Sequence, residues 1–174
     1  MAGNVEFKDF SFDVKAELNE ATIAALYEIA AEITSQAQRT CVMEDDAGKR
    51  LKGSYANTVD ESKGIATVGT PLEEGYWEEF GTGEHADTAA NGGKPGRQGW
   101  WVYVKGQGTR DKVSAEYRDK DEAEAVAASM RAEGLDAYAT NGRDPHYTLE
   151  HAFEAKADWA EKHTAKKLKE RLDE

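Results

Sequence analysis

The chain predicts an α+β domain: a small, mostly antiparallel sheet packed by a long N-terminal helix and a C-terminal helix, with an inserted strand–helix–strand unit. Three observations carry the prediction. Ile23, Leu26, Tyr27, Ala30, Ile33, Ala37 and Cys41 form a stripe at helical spacing across about five turns. Two strand-like runs, 53–59 and 64–69, are joined by Asp60 to Lys63, a connection of hairpin length. A second helical stripe closes the chain: Leu149, Ala152, Phe153, Trp159, Ala160, His163 and Leu168.

In chain order, Val5, Phe7, Phe10, Phe12 and Val14 alternate with polar residues, with a phase break at Lys8-Asp9, which predicts a bulged strand or two short strands. Asn19 offers an N-cap to the first long helix, and Glu20 suits its positive end. Met43 to Gly48 reads as an acidic turn before the hairpin, whose apolar residues are Tyr55, Val59, Ile65 and Val68. Trp100 to Lys105 is a strand, and Gln107 to Lys112 a polar loop. Asp119 to Glu133 is a helix with Ala123, Val126, Ala127 and Met130 inward, and Leu135 to Thr140 is the next strand. Asn141-Gly142 turns the chain, and Asp144-Pro145 or Thr148 opens the last helix.

Between the hairpin and the third strand lies the stretch from Gly75 to His85. Tyr76 and Phe80 share one side of a short helix, Trp77 sits beside them, and Glu78 and Glu79 point elsewhere. Gly81 and Gly83 end the helix. From Gly81 to Gly99 there are six glycines in nineteen residues and few apolar anchors, so residues 83–99 are expected to be a flexible Gly-rich loop. One reading makes it a plain surface loop; the other has it held ready to order against a partner.

At 174 residues the chain is expected to be a single domain, 1–174, burying roughly 70% of its unfolded surface. Acids outnumber bases 34 to 22, a formal charge of −12, which makes tight phosphate binding unfavourable because counterion release needs clustered cations. Glu73, Glu74, Glu78, Glu79, Glu84 and Asp87 gather without an intervening Lys or Arg, and form an acidic surface that suits a basic partner. Cys41 is the sole cysteine, so no internal disulfide forms. No signal peptide or span of ~20 apolar residues is present, so a soluble protein made in the cytoplasm and kept off membranes is expected.

Chemical motifs are weak. Gly92-Gly93-Lys94-Pro95-Gly96 lacks the Gly-Lys-Ser/Thr ending of a phosphate loop. His85, His146, His151 and His163 have no Cys or carboxylate at ligand spacing. Glu78-Glu79 beside aromatic rings could form a general acid, but the surrounding acids favour a charged surface. Trp100, Trp101 and Tyr103 could stack on bases, yet with only Arg97 and Lys105 near them a sheet core or subunit contact fits better. No enzyme, cofactor or metal is expected.

Taken in order, the long helix, Gly53-Ser-Tyr-Ala-Asn-Thr-Val59, Ile65-Ala-Thr-Val-Gly69-Thr70, Tyr76-Trp-Glu-Glu-Phe-Gly-Thr-Gly83 and Asp144-Pro-His-Tyr-Thr-Leu-Glu-His-Ala-Phe153 resemble the head–tail joining proteins of long-tailed bacteriophages. These are also described as neck, tail-completion or minor capsid proteins. The string Glu79-Phe80-Gly81-Thr82-Gly83 is the most specific part, with Gly69, Tyr76 and Trp77 as further motif positions. Where the family often has Pro-x-Asp-Thr-Gly-x-Leu, this chain has Glu44 to Leu51, without the proline and with Ala47 in place of threonine. Shorter members lack the unit 100–140. The resemblance implies a non-catalytic virion protein that forms a ring with copies of itself. Its partners would be head-completion or connector proteins and tail-terminator or tail-tube proteins, with DNA passing through. Glu73, Glu74, Glu78, Glu84, Asp87 and Arg97 would then face an interface or the channel. A different class, an acidic decoy or immunity-type protein masking a basic site on an enzyme, also fits the charge.

The charge balance predicts no appreciable duplex-DNA binding near 150 mM salt, the physiological ionic strength. Lys166, Lys167, Lys169 and Arg171 form the one dense cationic run and are offset by Glu170, Asp173 and Glu174. An anisotropy titration should show no saturation at micromolar protein; micromolar binding would reveal a basic surface that the sequence hides.

Overall fold

The structure is a computed structural model that describes residues 11–42, 46–90, 92–105 and 116–173. The elements in order are α1 (Ser11–Thr40), α2 (Asp46–Ser54), β1 (Ala56–Asp60), β2 (Ile65–Gly69), α3 (Glu73–Phe80), β3 (Thr82–Gly83), β4 (Trp101–Val104), α4 (Lys120–Ala132), β5 (Ala137–Thr140), β6 (Gly142–Arg143) and α5 (Thr148–Leu172). The α+β class is as expected, and every strand pair is antiparallel. Among the described residues the strands form three two-stranded ladders, β1–β2, β3–β6 and β4–β5. The chain divides into two compact units, Met1–Pro71 with Thr148–Glu174, and Leu72–Tyr147.

In the first unit, α1 and α5 run against each other. Ala25, Ala30, Ile33, Ala37 and Cys41 and, on α5, Ala152 are buried. Charged residues then clamp the two helices. Glu28 accepts from His163 Nε2 at 2.6 Å and from Lys167 Nζ at 2.7 Å. Glu32 lies 2.7 Å from Lys156 Nζ. The Lys167 ammonium, then the His163 ring, holds the Glu28 carboxyl below its ordinary range, and the same carboxylate raises Lys167. The hairpin β1–β2 pairs Ala56 with Gly69 and Asp60 with Ile65. Asn57 Nδ2 donates to Thr34 Oγ1 at 3.0 Å, which ties β1 to α1.

Two expectations are corrected here. Ser11 to Val14 belong to α1, not to a strand, which leaves Asn19 inside the helix. The rest of that expected strand, Val5 to Phe10, lies outside the described residues, as do Met43 to Asp45 and the loop Gln107 to Lys112. Asp46 to Ser54 form a helix where an acidic turn and the start of a strand were expected. Leu51, with no exposed surface, is its anchor, and Ser54 Oγ, donating to Leu51 O at 2.7 Å, ends it before β1.

In the second unit, the expected strand–helix–strand of 100–140 is β4–α4–β5. Val102, Ala137, Ala123 and Ala127 form its core, with Val126 and Met130 packed against it. Asp119 caps α4, its side chain accepting from Glu122 N at 2.9 Å. Tyr103 and Tyr138, directly opposite in the ladder, stack with centroids 5.5 Å apart. Among the described residues no helix is long and apolar enough to cross a membrane.

Leu51 sits in a run whose polarity hides it, so its burial is open to test. Leu51→Ala should destabilise by ~2–5 kcal/mol, read as a loss of melting temperature, while Arg50→Ala next to it should have little effect. Equal, small effects would mean that α2 does not anchor the first unit.

Candidate functional site

The helix α3 begins at Glu73 and Glu74, acids that suit its positive end. Its buried face is Gly75, Glu78 and Glu79, at i, i+3 and i+4. The aromatic residues lie elsewhere: Tyr76 is 47% exposed and leans on half-buried Phe80, with ring centroids 5.0 Å apart. The expected side-by-side placement of Tyr76 and Phe80 holds. Glu78 and Glu79, expected on the surface, are buried.

The helix leaves through Gly81, at φ 70°, whose N–H donates to Trp77 O at 3.0 Å. A Cβ here would lie 2.6 Å from Arg143 O and 2.8 Å from Pro145 N, so only glycine fits. Thr82 and Gly83 then pair with Arg143 and Gly142. A Cβ on Gly83 would overlap Asn141 O, and the Trp101 ring packs at 2.5 Å from the same point. The segment 141–147 is thus laid directly on the motif. His146 N donates to Glu78 O at 2.9 Å, Tyr147 N to Glu79 O at 3.2 Å, and Glu84 N to Asn141 O at 2.9 Å. Tyr147 has φ 47°, a left-handed conformation that costs a non-glycine residue on the order of 1–2 kcal/mol. Its backbone bond to Glu79 helps to hold it there.

Within this frame Glu78 has no exposed surface. Arg143 Nη2 lies 2.9 Å from Glu78 Oε2, and His146 Nδ1 lies 3.2 Å from the same oxygen. Arg143 Nη2 is also 3.3 Å from His146 Nδ1. One nitrogen cannot both donate to Glu78 and accept from Arg143, so the His146 tautomer follows whichever bond it makes. A carboxylate taken out of water costs several kcal/mol unless paired, and here the pairing base is itself 30% exposed at its side chain.

A second layer surrounds the cluster. His85 Nδ1 lies 2.7 Å from Asp144 Oδ1. Glu84 accepts from Asn141 Nδ2 and from Gly99 N, both at 3.0 Å; the Asn141 amide first, then the Gly99 N–H, holds its carboxyl below the ordinary range. Asp87 N donates to Phe80 O at 2.7 Å, and its carboxylate accepts from Tyr147 OH at 3.4 Å. Arg97 Nε lies 3.3 Å from Glu116 Oε1 and its guanidinium stands 4.8 Å from the Trp101 ring centroid. The glycine-rich loop therefore returns to where it starts, because Glu84 bonds Gly99.

Of the residues singled out in the sequence, Tyr76, Trp77, Glu79 and Phe80 lie in α3, Gly81 is its exit, and Thr82 and Gly83 form β3. Gly69 ends β2, opposite Ala56 in the first unit. Glu73 and Glu84 are exposed; Glu74, Asp87 and Arg97 are half-buried. Glu78, expected at an interface or channel face, instead has no exposed surface in the chain. Sequence reasoning missed Arg143, Asn141 and Tyr147, and weighed His146 only as a metal ligand. The available signal was Arg143, the one Lys or Arg between Arg131 and Lys156, set in a Gly-Arg-Asp-Pro turn far from any like charge. Among the described residues no group of His, Cys, Asp and Glu could hold a metal ion. The arrangement ties Glu78 of α3 to segment 141–147 through both side-chain and main-chain bonds. No family model, curated protein or solved structure matches the chain.

Arg143→Met removes the guanidinium paired with the buried Glu78 carboxylate and should cost ~3–5 kcal/mol. The double variant Glu78→Gln/Arg143→Met should lose less than the sum of the single losses. Denaturant melts check this, and additive losses would mean that the two groups do not interact.

Proposed function

We propose that the chain is a structural protein of a tailed-phage virion, one subunit of a ring in the neck that joins the DNA-filled head to the tail. The ordered resemblance of the motifs from the long helix to Phe153 carries the reading. Its most specific string, Glu79 to Gly83, is supported by geometry: those residues form a helix exit in which glycine is required at 81 and 83, directly after the buried Glu78 that Arg143 pairs. Such a turn suits a rigid scaffold better than a catalytic cleft. The ring is built of copies of the chain, contacts connector proteins on the head side and terminator or tail-tube proteins on the tail side, and uses no cofactor. It is made in the host cytoplasm and resides in the virion.

The formal charge of −12 fits a wall past which DNA must slide. Attraction for phosphates would retard the genome, whereas an acidic wall lets it pass. Native mass measurement of the chain, alone and mixed with candidate neck proteins, tests the proposal. A closed multimer of the chain, alone or on a connector, is expected. A 1:1 complex with one basic enzyme and no self-association would instead favour the acidic decoy.

A further inference from the structure

Segment 141–147 clasps α3 and β3, and this clasp requires a glycine at 142 and a side-chain donor at 141. Gly142 has φ 133°, and a Cβ on it would run into Thr82 O across the β3–β6 ladder. Asn141 Nδ2 donates to Glu84 Oε2 at 3.0 Å, and Asn141 O accepts from Glu84 N at 2.9 Å. The two demands together create an Asn-Gly pair, which is chemically reactive. Glycine has no side chain to shield its nitrogen from the asparagine Cγ. Attack forms an N–Cγ bond and closes a cyclic imide. The Cγ–Nδ2 bond breaks, and the Gly142 amide proton leaves with the Asn141 NH2 group as ammonia. Water then opens the imide at either carbonyl, giving aspartate or its β-linked isomer.

Both reacting groups are engaged while the clasp is closed. Gly142 N donates to Thr140 Oγ1 at 3.1 Å, and the same hydroxyl donates to Gly142 O at 3.0 Å, which brackets the nucleophile. The leaving amide is the group that Glu84 holds. Neither can turn toward the other without giving up its bond. Glu84 is exposed and Asn141 half-buried, so water has access to the pair. An aspartate at 141 has no donor for Glu84. It sets a second carboxylate against one whose charge the Asn141 amide now stabilises.

We infer that Asn141 is a deamidation site gated by the clasp: the closed fold suppresses the reaction, opening permits it, and the product hinders reclosure. The modification thus records opening of the clasp irreversibly. It involves residues of the second unit alone and stands apart from the ring reading.

The test incubates the full chain at mildly alkaline pH, folded and in denaturant. Peptide mapping reads the mass gain at Asn141 and separates it from the other Asn-Gly, Asn91-Gly92. The folded-state rate is expected to be at least roughly tenfold below the unfolded-state rate. Thr140→Val, which frees Gly142, and Arg143→Met, which removes the guanidinium paired with Glu78, should each bring the two rates closer; melting transitions confirm that the variants fold. Equal rates in the unaltered protein, or a ratio that either variant leaves unchanged, would overturn the gating. Asn141→Asp mimics the product, and in it the Glu84 amide should exchange at least roughly tenfold faster. Asn141→Asp/Glu84→Gln, which restores one donor, should recover that protection. Full protection in Asn141→Asp, or none recovered in the double variant, would refute the effect on reclosure.

Discussion

One buried carboxylate sets the terms for the second unit. Glu78 sits on the inward face of a two-turn helix with no exposed surface, and Arg143 reaches it from 65 residues away. An acid in that position is tolerated only if the base is held there, and the base is held by backbone. Arg143 is paired with Thr82, two residues beyond the end of the same helix. The ion pair and the β3–β6 ladder therefore require each other. His146, bonded through its main chain to Glu78 O and lying at Glu78 Oε2 through its ring, closes the arrangement.

The glycines follow from this closeness. Segment 141–147 approaches α3 and the turn after it so tightly that Gly81 and Gly83 have no space for a side chain. Tyr147 accepts an unfavourable backbone conformation at the last residue before α5. Strain of that kind persists only where the surroundings over-determine it, and here the bonds to Glu79 O and from Tyr147 OH to Asp87 do so. What looked like a loose motif with a glycine hinge is a clasp. This is a natural property for a subunit whose proposed role is to keep its shape while bearing load in a ring.

Much of the fold was legible because periodicity and caps report local structure. The stripe of α1, the inward alanines of α4 and the β1–β2 hairpin depend on residues close in sequence. The failures share a different cause. Glu78 and Glu79 look like surface because an acid next to an acid is most often solvated, and the partner that reverses this, Arg143, is too distant for any window to see. The same face-counting that puts Tyr76 beside Phe80 puts Gly75, Glu78 and Glu79 together, and only tertiary contact decides which face turns inward. At α2 the one large apolar residue is Leu51, set among Lys and Arg, too little to set a period. At Phe12 and Val14 a period of two and a period of four are both satisfied, and the long helix downstream wins.

Hydrogen exchange at the His146 and Tyr147 amides tests most directly whether the buried charge holds the clasp. Both amides donate to α3 carbonyls, and so should be among the slowest to exchange in the second unit. In the Arg143→Met variant they should exchange as fast as the exposed amides of residues 92–98, while the Ala127 amide inside α4 keeps its protection. Fast exchange of both amides in the unaltered protein, or unchanged protection in the variant, would contradict the dependence of this unit on the Glu78–Arg143 pair.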